Sequence, residues 1–101
     1  MKQDKTTLQK GQMVISLCGN DCGKYYFIID KKGEFLSLVD GKKRTLEKPK
    51  KKRWHHVKPV GGKVDFDLFF TDTKSIEEAA KNSLLNKQLV YYKKVFLKEI
   101  Y

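Results

Sequence analysis

GQMVISLCGNDCGKYYFIID, residues 11–30, reads as two apolar strands joined by a loop with glycines at Gly19 and Gly23. The first strand is expected over Gln12–Leu17 and the second over Lys24–Asp30. Val14, Ile15, Ile28 and Ile29 are β-branched, and Tyr25, Tyr26 and Phe27 are aromatic. Such residues suit a pleated, half-buried surface. Between the strands, Cys18-Gly19-Asn20-Asp21-Cys22-Gly23 supplies residue types that tolerate tight turns and positive φ. Lys24 opens the second strand and sets a cation at the rim of the loop.

Working outward, residues 1–9 form a polar lead that is expected to be flexible, with Leu8 placed to dock on the core. Asp30-Lys31-Lys32-Gly33 reads as a turn, and Glu34–Val39 as a third strand. Phe35, Ser37 and Val39 share one face of that strand, and Leu36 and Leu38 the other. Neither face is purely polar, which marks it as central. Asp40-Gly41 is a turn signal, and Lys43-Arg44-Thr45-Leu46 fits a short fourth strand. Short strands at close spacing, in a chain that must close or cover its edges, point to a small barrel.

Val60-Gly61-Gly62-Lys63 reads as a loop. In residues 64–70, Val64, Phe66 and Leu68 alternate with Asp65 and Asp67, a period-two pattern for a strand. The competing reading is an extended apolar segment packed over the barrel. Ser75 with Glu78 matches a capping box, and Ile76, Ala79, Ala80 and Leu84 recur at helical spacing. A helix is therefore expected from Ser75 to about Gln88. Beyond it the patterns conflict. Leu89, Tyr92 and Phe96 favour more helix, whereas Val90, Tyr91 and Val95 favour a strand. Tyr92, Lys93 and Lys94 read either as core packing by the tyrosine or as a further contact for a polyanion.

The chain has 101 residues, 22 Lys and Arg against 12 Asp and Glu, a net charge of +10 and a pI near 9.6. That length bounds it to one domain with a small appendage. The charge excess points to a polyanionic partner. No apolar run approaches the ~18 residues that a membrane helix requires. The polar start lacks an apolar signal core, so the expected location is the cytoplasm, with Cys18 and Cys22 reduced.

The cations concentrate. Lys42, Lys43, Arg44, Lys48, Lys50, Lys51, Lys52 and Arg53 crowd into a single segment against Glu47 alone. Lys48 precedes Pro49, which disfavours helix and extends the segment. Trp54 follows at once, then His55 and His56. Cations for phosphates beside a ring for an unpaired base is a pattern that RNA binding uses. A lone Trp in a small domain also anchors cores, and a lysine run also forms a solvated loop; both readings stand beside the first. Cys18, Cys22, His55 and His56 raise zinc, but adjacent histidines on a strand diverge and no second ligand pair follows, so no metal or other cofactor is expected. Asp65 and Asp67 share a strand face without a base or pocket, and Ser16 and Ser37 lack a His-Asp order. No enzyme is expected.

Gly11-Gln12-Met13-Val14-Ile15, then Gly19-x-Asp21-x-Gly23-Lys24, then an apolar strand resembles the KOW motif of SH3-like barrels in ribosomal proteins and transcription elongation factors. Leu38-Val39-Asp40-Gly41 and the basic segment resemble more specifically a ribosomal-protein-like subgroup. It includes large-subunit proteins of archaea and eukaryotes and small bacterial RNA-binding KOW proteins. The resemblance covers about residues 10–58. Many KOW motifs carry a further glycine after the Gly-Lys pair; here Tyr25 and Tyr26 follow Lys24, as in the archaeal and eukaryotic branch.

The resemblance implies a small SH3-like barrel; joined to the helical pattern read above from the residues alone, the expected fold is mainly β, with the barrel over residues 10–70, a basic segment at 42–58 and a C-terminal α-helical arm at 71–101, an arm that the resemblance does not reach. The resemblance also implies an RNA-binding protein contacting ribosomal or other structured RNA. The expected contacts are Gly19, Asn20, Gly23 and Lys24 in the loop. Lys42, Lys43, Arg44, Lys50, Lys51, Lys52, Arg53 and Trp54 complete them. Backbone N–H groups of a glycine turn can meet phosphate oxygens, Lys24 adds a point charge, and Asn20 can meet a base or a 2′-OH. The other reading is an SH3-like protein-interaction adaptor with acidic partners.

Overall fold

The computed structural model describes residues 8–97. The polar lead read over residues 1–9 thus falls mostly outside the described residues; within it, Leu8 is fully buried on the core. Five antiparallel strands form one sheet: β1 Gln12–Ser16, β2 Tyr25–Lys32, β3 Phe35–Val39, β4 Lys50–Arg53 and β5 Val57–Lys63. Their spatial order is β4-β3-β2-β1-β5. The outermost strands, β4 and β5, are consecutive in sequence and joined only by a 3₁₀ turn at Trp54–His56. So short a link requires the sheet to curl, bringing the end of β4 near the start of β5. The curl is visible in side chains: Lys52 of β4 donates to Ser16 Oγ at the end of β1, across the two intervening strands.

Strand alternation builds two apolar layers, because successive side chains leave opposite faces of a strand. Val14, Tyr26, Ile28, Leu36, Leu38 and Val57 pack with Leu8 inside the curl. Met13, Phe27 and Val39 leave by the outer face and pack against Val64, Phe66, Leu85 and Leu89. A sheet apolar on both faces needs a second cover, and two C-terminal helices supply it: α1, Phe66–Asp72, and α2, Glu78–Leu97. Phe27 meets Phe66 and Tyr92 edge-on, with ring centroids 6.4 and 5.8 Å apart.

Four expectations are corrected. Lys43–Leu46 is a loop, because side chains satisfy its backbone donors. Asp40 Oδ1 accepts from the Lys42 and Arg44 N–H groups, and Asn82 Oδ1 from that of Leu46. The fourth strand is instead Lys50–Arg53, paired with β3. Val60-Gly61-Gly62-Lys63 lies within β5 rather than in a loop. Its glycines give the aromatic rings of α2 room: a Cβ on Gly62 would stand 2.7 Å from Tyr92 Cδ2.

Residues 64–70 are not a strand. Asp65 caps α1, its carboxylate accepting from Leu68 N–H at 3.1 Å. Phe66 and Phe69, three apart, face the core, while Leu68 is exposed. The helical spacing of the phenylalanines wins over the alternation with aspartates. Finally, Ser75 does not cap α2. The turn closes with Ile76 N–H on Thr73 O, and the helical bonds begin at Glu77 O, which accepts from Lys81 N–H. The conflict after Gln88 resolves as helix, because Leu89 and Tyr92 keep the stripe on the sheet and Tyr92 OH donates to Lys63 O at 3.0 Å. Among the described residues, no helix is long and apolar enough to cross a membrane.

Candidate nucleic-acid interface

Residues 17–24 connect β1 to β2 as two linked turns. Gly23 N–H donates to Ser16 O at 2.8 Å, Cys22 N–H to Gly19 O and Lys24 N–H to Asp21 O. Gly19 and Gly23 hold φ of 92° and 86°, a region in which a Cβ is strained. The N–H groups of Cys22, Gly23 and Lys24 are therefore engaged within the loop, and the turn serves geometry at those positions. What it presents outward is side chains: Asn20 and Lys24 are exposed.

What it turns inward is Asp21. The residue is 7% exposed. Its Oδ1 takes hydrogen bonds from Ser16 Oγ at 2.9 Å and Lys52 Nζ at 2.8 Å, and its Oδ2 lies 3.5 Å from Lys50 Nζ. Lys52 Nζ also donates to Cys18 O at 2.7 Å. Burial pushes the Asp21 carboxyl up, but the hydrogen bonds from Lys52 and Ser16 and the charges of Lys52 and Lys50 outweigh it. The result is about 2, well below the usual 3.8. The same burial, with the Asp21 charge beside it, pushes the Tyr26 phenol up to about 12. This cluster pins the loop to β4.

Strand alternation divides the basic run. Lys50 and Lys52 lean toward the loop. Lys51 and Arg53 leave by the other face, their cations 5.4 and 4.9 Å from the Phe35 ring centroid. The Lys52 ammonium is enclosed by internal acceptors. Trp54 packs against the inner core and donates from Nε1 to Glu34 Oε1 at 2.9 Å. Lys42 is exposed on the Asp40 turn.

Five of the expected contact residues converge. Asn20 and Lys24 from the loop, Lys43 and Arg44 from the segment after β3, and Lys50 from β4 line one cleft of about 210 Å³. Asp21, Asp40 and Tyr26 complete it. Its cations outnumber its carboxylates four to two, so the surface favours an anion with oxygens to spread among several donors. Gly19 and Gly23 shape the loop beside it. Lys51, Arg53 and Trp54 lie apart from this cleft.

Sequence reasoning took Asp21 only as a motif letter and missed its role. No sequence signal marks it out, because Lys50–Arg53 shows no hydrophobic alternation and the lysine that turns inward to a carboxylate is set by strand register. Among the described residues, no three His, Cys, Asp or Glu side chains gather in a way that could hold a metal ion. No protein-family model matches the chain, and no curated protein matches its sequence.

Proposed function

We propose that this chain is a non-enzymatic, cytoplasmic RNA-binding module: an SH3-like barrel of the KOW kind, contacting ribosomal or other structured RNA. The curled five-stranded order, with a 3₁₀ turn between the two edge strands, supports the barrel reading. The observation that carries the functional reading is the cleft of Asn20, Lys24, Lys43, Arg44 and Lys50. The β1–β2 loop and the 43–50 segment, distant in sequence, bring cations to one place, and the Asp21 ion pairs with Lys50 and Lys52 hold the loop beside β4. Phosphate oxygens of a folded RNA supply the charge such a cleft takes up, and Asn20 stands where a 2′-OH or base edge can be met.

The test is direct. Purified at low salt, the protein is expected to carry RNA, seen as excess absorbance at the nucleic-acid maximum, and to release it in high salt. Protein that never retains RNA at any salt concentration, yet binds acidic peptides, selects the adaptor reading instead. That reading draws on the exposed Leu84, Tyr91 and Val95 on α2, apolar side chains that an RNA contact does not require.

A further inference from the structure

A second cleft, of about 250 Å³, adjoins the first and shares Lys24 and Asp40 with it. Its composition is different. Leu89 and Val90 of α2 give it an apolar surface, and Tyr25 of β2 an aromatic one. Asn86 brings a carboxamide whose Nδ2 is fixed by donation to Asp40 O at 2.9 Å. Lys93 stands with its ammonium 4.8 Å from the Tyr25 ring centroid. Inorganic phosphate needs neither a ring nor an aliphatic surface. A nucleobase uses all of these: an aromatic face to stack on, an apolar bed, and a carboxamide for its polar edge.

The geometry points to this second cleft as a site for one unpaired nucleobase of an RNA strand whose phosphate occupies the neighbouring cationic cleft. The inference rests on the RNA-binding reading above and adds the form of RNA: single-stranded or looped, not duplex. Bases of an A-form helix are stacked and paired, and their edges lie in grooves that do not fit over a narrow cleft. The Lys93 ammonium now holds the face of Tyr25. A half-exposed cation–π contact is weaker than a base–aromatic stack, so a base displaces it and leaves the cation beside the strand. Helix α2 is then part of the binding surface as well as a cover for the sheet.

Fluorescence anisotropy tests this with a labelled single-stranded uridine-rich RNA and a blunt RNA duplex, each titrated with the full chain and with Tyr25→Leu. The full chain is expected to prefer the single strand. Tyr25→Leu should lose roughly tenfold on the single strand and little on the duplex. Equal affinity of the full chain for both RNAs would overturn the base site and leave the cationic cleft standing. No binding to either would remove both. Because Tyr25→Leu can disturb the sheet, ultraviolet crosslinking of the unaltered protein to the same single strand gives an independent readout. Adducts are expected at Tyr25 or within residues 86–93, and adducts confined to β4 would overturn the assignment.

Discussion

Lys52 Nζ lies 2.8 Å from Asp21 Oδ1, and both side chains are less than one-tenth exposed, at 8% and 9%. The pair joins an edge strand to the loop between β1 and β2. It thereby sets the distance between the cations of β4 and those at the loop rim. A buried ion pair often adds little net stability, but breaking it from one side leaves a charge without a partner.

Asp21→Ala is therefore expected to cost about 3 kcal/mol, since it strands Lys52. Lys52→Met should cost less, because Asp21 keeps Ser16 and Lys50 as partners. The double change Asp21→Leu with Lys52→Met should recover much of the loss. Urea denaturation of the four proteins measures this. A cost for Asp21→Ala within the about ±0.5 kcal/mol of an ordinary surface change would show that the pair does not hold the loop.

Acid stability follows from the same carboxylate. Its folded value of about 2 lies below the usual 3.8, so its contribution is complete above about pH 4. It disappears as pH falls toward 2, and amounts to about 2 kcal/mol. Thermal melts of the parent and Asp21→Asn should differ at pH 5 and converge near pH 2. A gap that stays constant across that range would contradict the ion-pair account.

The outer core makes a separate prediction. Gly62 has φ of 102°, and a Cβ there would meet the Tyr92 ring of α2. Gly62→Val is expected to lift α2 from β5. Amides of residues 85–97 should exchange faster, while β2 and β3 keep their protection. Unaltered exchange in α2 would mean the helix does not depend on that close approach. Leu85→Ala, at a fully buried position facing Phe27 and Val39, should cost about 3 kcal/mol.

Much of the sheet is legible in the sequence, because β1, β2 and β3 are short runs of β-branched and aromatic residues bounded by glycine-marked turns, apolar on both faces. Phe35 to Val39 show this best: their alternation foretold that both faces would be buried, and Leu36 and Val39 indeed join different cores. The C-terminal half was less legible. Phe66 to Phe70 satisfy both a strand and a helix pattern, and only the Asp65 cap and the outer core decide between them. The true fourth strand was hidden because Lys50–Arg53 shows no hydrophobic alternation at all; its pairing with β3 comes from tertiary context. At the candidate site, composition pointed to the cations but could not sort them. Which lysine faces an aspartate depends on strand register, and register emerges only once β4 is placed.

On the RNA-binding proposal, the loop and the start of β4 act with the segment after β3 as one anion-binding cleft. Salt-dependent titration of a single-stranded RNA tests it, comparing Lys43→Gln/Arg44→Gln/Lys50→Gln with Lys51→Gln/Arg53→Gln. At about 0.7 per phosphate neutralised, the triple variant should reduce the log–log salt slope by about 2, and the outer pair by clearly less. A triple variant with the parent's affinity and slope, or an outer pair with the larger loss, would contradict the account.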